Sequence, residues 1–151
     1  MTDTQKRLHD RIKEVYERYP QPVVPRNKWW LTNLWTVTHQ TADGTKIYYR
    51  QGKLHNTNGP AVIYPDGSEM YYTAGDLHSL QKKGKPQPAI KLADGTEIWF
   101  EKGILKNHTK KDDVGMYHPI ASFPDQEKYW QPPDKAIFRS ANRQELAELE
   151  K

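Results

Sequence analysis

The sequence predicts a mainly β protein, an antiparallel β-meander of hairpin repeats with an amphipathic helix at its N-terminus and a short helix at its C-terminus. Three observations lead there. The first is an internal repeat. Asp43-Gly44-Thr45-Lys46-Ile47-Tyr48-Tyr49, Asp66-Gly67-Ser68-Glu69-Met70-Tyr71-Tyr72 and Asp94-Gly95-Thr96-Glu97-Ile98-Trp99-Phe100 share one pattern: Asp-Gly, hydroxyl, charge, apolar, aromatic, aromatic. A repeat of this length fixes architecture before any single residue is interpreted. The second is the Asp-Gly pair itself, the strongest short-range hairpin signal when apolar runs flank it. The third is the spacing of Leu8, Ile12, Val15, Tyr16 and Tyr19, which is the 3.6-residue period of one helix face.

The helix is predicted over residues 4–19. Thr2 and Gln5 suit a capping box, and Pro20 stops the helix. Lys6, Arg7, Asp10, Lys13, Glu14 and Glu17 form its polar face. A single-layer sheet leaves one face uncovered, and an isolated helix this short is marginal in water. The helix is therefore expected to pack on the sheet. Three prolines, Pro20, Pro22 and Pro25, make the next segment an extended connector. It leads to Trp29, Trp30 and Trp35. These are read either as a plug on the first sheet edge or as an aromatic docking surface, tryptophan being enriched in binding hot spots.

In the repeats, Thr36–Gln40 is expected to pair with Lys46–Tyr49, Ala61–Tyr64 with Glu69–Tyr72, and Pro88–Leu92 with Glu97–Phe100. Six principal strands result, joined at each Asp-Gly by a two-residue type I′ turn. A second glycine follows each copy, at Gly52, Gly75 and Gly103, with an aliphatic two residues on at Leu54, Leu77 and Leu105. The copies are 23 and then 28 residues apart, the excess lying in the Lys/Gly/Pro-rich insertion 79–87.

The stretch from Gly52 to Gly67, Gly-Lys-Leu-His-Asn-Thr-Asn-Gly-Pro-Ala-Val-Ile-Tyr-Pro-Asp-Gly, resembles one full unit of the MORN-like repeats of large viruses, phages and some bacteria. The second copy keeps Gly75, Leu77, His78, Pro88 and Ala89. The third keeps Gly103 and Leu105, with Lys106 at the histidine position. The resemblance covers about residues 35–106 and implies a single-layer β-meander. It departs from the eukaryotic MORN pattern, which has more glycines, so it carries no lipid-binding expectation. Fold alone implies no one function.

One domain, 1–151, is expected: helix 1–20, Pro/Trp-rich connector 21–34, β-repeats 35–106, and a C-terminal wrap and helix over 107–151. Residues 107–139 show no period. Met116-Tyr117, Tyr129-Trp130 and Ile137-Phe138 are their apolar anchors, and Ser140 or Asn142 caps a final helix bearing Leu146 and Leu149. Hydrophobic residues make up 35% of the chain and the mean hydropathy is −1.00. No apolar run reaches the ~18–20 residues of a membrane span, Met1–Thr4 lacks a signal-peptide core, and cysteine is absent. A cytoplasmic location is expected, the host cytoplasm if the chain is viral.

Chemistry is harder to find. His55 and His78 occupy one repeat position, which explains them structurally, the imidazole bridging to turn backbone. His39, His108 and His118 lack ligand spacing. Lys111-Asp112-Asp113 reads as a solvated turn. No catalytic residue, metal site or cofactor is assigned. Alternation across a strand puts Tyr48, Tyr71 and Trp99 on one face, with Val62 and Tyr64. Either residues 107–139 cover that face or it is a partner surface. The net charge is +4, with lysines clustered at Lys82, Lys83 and Lys85 and at Lys106, Lys110 and Lys111. Lysines beside aromatics suit nucleic acid; lysines on an edge-rich sheet also keep it from pairing. The function expected is a non-catalytic protein-interaction module, a host-directed inhibitor or adaptor. A nucleic-acid or nucleotide-binding protein is the alternative. Self-association through sheet edges stays open.

Overall fold

The computed structural model describes residues 3–25, 36–79, 81–82, 85–106, 120–129 and 136–139. One α-helix, α1, spans Asp3–Arg18. Among the described residues the main sheet has nine strands, all antiparallel. Its path runs Val37–Gln40, Lys46–Arg50, Val62–Ile63, Glu69–Met70, Ile90–Lys91, Glu97–Ile98, Ala121–Ser122, Lys128–Tyr129, with Lys53–Leu54 paired to Lys46–Arg50. Spatial order equals chain order, as expected of a meander. The three hairpins read from sequence form, with Ile47 opposite His39, Met70 opposite Val62, and Ile98 opposite Ile90.

The turn chemistry is reversed from expectation. Tyr64 N–H donates to the Ser68 carbonyl at 2.8 Å and Gly67 N–H to the Tyr64 carbonyl at 2.9 Å. The loop is thus three residues, Pro65-Asp66-Gly67. Only its glycine has positive φ, 91°. A three-residue loop closed by a left-handed glycine is the next commonest hairpin after the two-residue types. The same bonds enclose Ala42-Asp43-Gly44 and Ala93-Asp94-Gly95. Two consecutive left-handed residues, the type I′ signature, occur instead at the second glycines: Gln51-Gly52, Ala74-Gly75 and Lys102-Gly103, at φ 51° and 77°, 51° and 89°, 50° and 80°.

A fourth unit lies where the sequence showed no period. Phe123 N–H donates to the Glu127 carbonyl and Gln126 N–H to the Phe123 carbonyl, both at 3.0 Å. Pro124-Asp125-Gln126 is therefore the same loop, with Gln126 at φ 71° in place of glycine. Residues 120–129 do not wrap over the sheet; they extend it, Ala121 pairing with Ile98 on one side and Tyr129 on the other. Farther on, Ala136–Arg139 pairs with Ile104–Lys106. The insertion folds a small hairpin, Gln81–Lys82 against Lys85–Pro86. The expected capping box, the tryptophans of the connector and the C-terminal helix lie outside the described residues.

The core sits between α1 and one sheet face. Leu8, Ile12 and Val15 pack with Ile47, Val62, Met70, Ile90, Ile98, Ala121 and Phe123, all buried. Val62 and Tyr64 belong here, not on the outer face, because Val62 is the direct cross-strand partner of both Ile47 and Met70. Directly opposed residues share a face. Tyr49, Tyr72 and Phe100 continue the core toward the second turns.

Candidate functional site

Two surfaces remain after the core is taken out: the outer sheet face and the row of Asp turns. The outer face is polar along its middle. Ile63 pairs with Glu69, Glu69 with Lys91 and Lys91 with Glu97, so opposite charges alternate across strands, the favourable arrangement. On this face stand Tyr48 and Tyr71, both half-buried, with the Lys46 ammonium 5.4 Å from the centre of the Tyr48 ring. Burial, then the Glu69 carboxylate, pushes the Tyr71 hydroxyl above its ordinary value. Trp99 holds the same backbone register: Tyr48, Tyr71 and Trp99 each donate an N–H to the next unit, to Ala61, Ala89 and Ile120 at 2.7, 2.7 and 2.9 Å. Yet Trp99 is 4% exposed. Of the two readings left open for this face, covered or exposed to a partner, the covered one holds at this position. The difference is one of side-chain cover, since the backbone is equivalent.

The repeat alignment gives Trp130, read from the sequence only as an apolar anchor, the position equivalent to Tyr48, Tyr71 and Trp99; it lies outside the described residues. So do Trp29, Trp30 and Trp35, and Lys83, Lys110 and Lys111. Lys82 and Lys85 are Cα partners across the insertion hairpin, and Lys106 ends the strand Ile104–Lys106.

The histidines have a structural task. His55 Nδ1 accepts from Ala74 N–H at 2.9 Å, and His78 Nδ1 from Lys102 N–H at 3.0 Å. Each imidazole thus holds the left-handed turn of the following unit. Beside it, Gly75 N–H donates to the Leu54 carbonyl and Gly103 N–H to the Leu77 carbonyl, both at 2.9 Å. Burial, then the charge of Arg50, lowers the His55 value below its ordinary 6.5.

The Asp-turn row was the larger omission. Each aspartate accepts from the backbone two residues on: Asp43 from Thr45, Asp66 from Ser68, Asp94 from Thr96, Asp125 from Glu127, at 2.8–3.1 Å. That is an Asx-turn, in which the side chain caps its own loop. But α1 also runs along the row. Arg11 reaches Asp125 at 2.8 Å and also binds Glu127, which Arg7 joins. The Arg11 guanidinium lies 4.0 Å above the Phe123 ring. Arg18 reaches Asp94 at 3.3 Å, and the Tyr19 hydroxyl donates to Asp66. Burial alone would raise the Asp66 and Asp94 carboxyls. The Tyr19 and Ser68 hydrogen bonds at Asp66, and those of Thr96 and Arg18 at Asp94, outweigh it and hold both below the usual carboxylate value. The signal was present in the sequence as arginines at the edge of the apolar stripe, but nothing in one chain read linearly pairs Arg11 with Asp125.

Among the described residues no group of three His, Asp or Glu side chains could hold a metal ion, and no helix is long and apolar enough to cross a membrane. Comparison with protein-family models, curated proteins and solved structures finds no match to the chain.

Proposed function

We propose that the chain is a non-catalytic protein-interaction module that uses the outer sheet face, with Tyr48 and Tyr71 as its anchors. One observation carries this reading. The sheet's inner face is filled by α1, while the outer face presents two partly exposed tyrosines in repeat register among cross-strand charge pairs. Tyrosine offers a large apolar area, a hydroxyl donor and few rotamers to freeze, the properties of an interface anchor. A rim of Lys46, Glu69 and Lys91 supplies the polar surround that interface anchors use. The resemblance of Gly52–Gly67 to MORN-like units of phages and large viruses extends the proposal: the partner is a host protein, and the module acts as an inhibitor or adaptor, for example against host defence.

The test is capture from host lysate by the wild-type chain beside the double variant Tyr48→Ala, Tyr71→Ala. Partner recovery is expected to fall at least about tenfold with the fold intact, as for loss of two hot-spot residues. Equal recovery by both chains would sink the proposal. The pairing of Lys82 with Lys85 at a hairpin tip keeps the nucleic-acid reading in view. Retarded migration of single-stranded DNA at low salt, abolished by Lys82→Gln with Lys85→Gln, would favour it instead.

A further inference from the structure

We propose that the groove beside the first Asp turn docks a segment of a partner protein that presents an arginine next to an aliphatic side chain, as α1 does at the third and fourth turns. The argument is the chain's own recurrence. Four equivalent turns put four aspartates in a row, and three of them are met from the helix side: Asp125 by Arg11, Asp94 by Arg18, Asp66 by Tyr19. The helix then runs out. Its last backbone bond is Tyr19 N–H to the Val15 carbonyl at 2.8 Å, and Pro20 and Pro22 keep the following chain extended. Asp43, equivalent in its turn, accepts from Thr41 and Thr45 of that same turn. Among the described residues it has no ion pair. The Thr41 and Thr45 hydrogen bonds hold its carboxyl below the usual range, so it is anionic at neutral pH.

Beside the helix end lies a groove of about 660 Å³. Pro20, Pro22, Val23, Ala42, Tyr64 and Pro65 give it an apolar lining, and Arg18, Asp43 and Asp66 line it too. Val23 is 82% exposed and is the one large hydrophobic side chain left in solvent among the described residues. An apolar trough with an unmatched carboxylate at its lip reproduces what Leu8, Ile12, Arg11 and Arg18 satisfy elsewhere. Two carboxylates, Asp43 and Asp66, line the groove against one guanidinium, Arg18, which is already paired with Asp94, so its charge favours a cation over a phosphate-bearing ligand. The guanidinium is favoured over the ammonium because its planar fork matches a carboxylate and it is the less strongly hydrated. The site is separate from the tyrosine face and stands whether or not that face binds.

The full-length chain, labelled with nitrogen-15, is titrated with capped leucine–arginine–leucine tripeptide and with its lysine and citrulline analogues. Saturable shifts of the Val23, Ala42 and Asp43 amides are expected with the arginine peptide. Binding is expected to be at least about threefold weaker with lysine and absent with citrulline. Asp43→Asn keeps the acceptor that Thr45 N–H needs, so the turn survives, and should weaken the arginine peptide at least about tenfold. Val23→Ser should weaken the arginine and lysine peptides alike. No saturable shift at the groove, equal binding of arginine and citrulline, or an unaffected Asp43→Asn would each overturn the proposal. So would concentration-dependent self-association lost in Asp43→Asn, which would assign the groove to a second copy of this chain.

Discussion

At His55 a single nitrogen joins two repeat units, and the bond has a definite proton requirement. Nδ1 accepts from Ala74 N–H, so a proton there replaces an acceptor by a donor facing a donor. The folded-state value is lowered by burial and by Arg50, so the unfolded chain takes up the proton first. The stability this histidine contributes is whole above its ordinary 6.5 and is lost as pH falls toward the folded-state value. Urea unfolding at pH 7.5 and pH 5 should show the loss. His55→Gln, which keeps an acceptor and cannot titrate there, should make the difference between the two pH values smaller; an unchanged difference would refute the clasp. Glycine acts at the same scale. Gly67 has φ 91°, and a Cβ added there would meet nothing within 4 Å. Gly67→Val therefore tests backbone strain alone and should cost roughly 1–3 kcal/mol by thermal unfolding. Gln126, at φ 71° in the fourth loop, is the converse. Gln126→Gly should stabilise by roughly 0.5–1 kcal/mol, the strain relief exceeding the added chain entropy.

Elements were legible in proportion to how local their cause is. The hairpins follow from turn residues and alternation within about ten positions, and all three expected pairings are present. The helix follows from one apolar face and ends at Arg18, two residues short of the Pro20 read as its stop, with Leu8 and Ile12 fully buried. Ile12→Ala should cost about 2–5 kcal/mol in chemical denaturation, as for other aliphatic truncations in a packed core; a cost under about 1 kcal/mol would mean the helix is only loosely seated. The fourth unit escaped notice because it lacks the glycine on which the alignment hinged. Pro119-Ile120-Ala121-Ser122-Phe123-Pro124-Asp125 matches Pro60-Ala61-Val62-Ile63-Tyr64-Pro65-Asp66 in pattern, but Gln126 breaks the Asp-Gly signature. The aspartates have a local role in the geometry of their own turns. Their second role depends on α1 lying across units far apart in sequence, and no local signal encodes that.

Across the whole molecule, the repeats touch mainly their neighbours, through bonds such as Tyr71 N–H to Ala89 and Trp99 N–H to Ile120. In a nearest-neighbour array the end units are the least protected and open first. Here α1 crosses the array, bonded to the fourth turn through Arg11 and Arg7, to the third through Arg18, and followed by Tyr19 at the second. The helix thus ties the fourth unit to the third and, through Tyr19, to the second, which does not adjoin it. Arg11→Ala removes an ion pair to Asp125, another to Glu127 and the stacking on Phe123. The Arg11 side chain is only 24% exposed, so the loss should exceed that of a surface pair and reach about 1–2 kcal/mol. Native-state hydrogen exchange should locate it. The Ile120 and Phe123 amides, bonded to Tyr129 and Glu127, should lose protection by roughly tenfold or more, while the Tyr48 amide of the first unit keeps most of its own. A uniform loss at all of these amides would show instead that the array opens as one cooperative body and that α1 is not a local clamp on its far end.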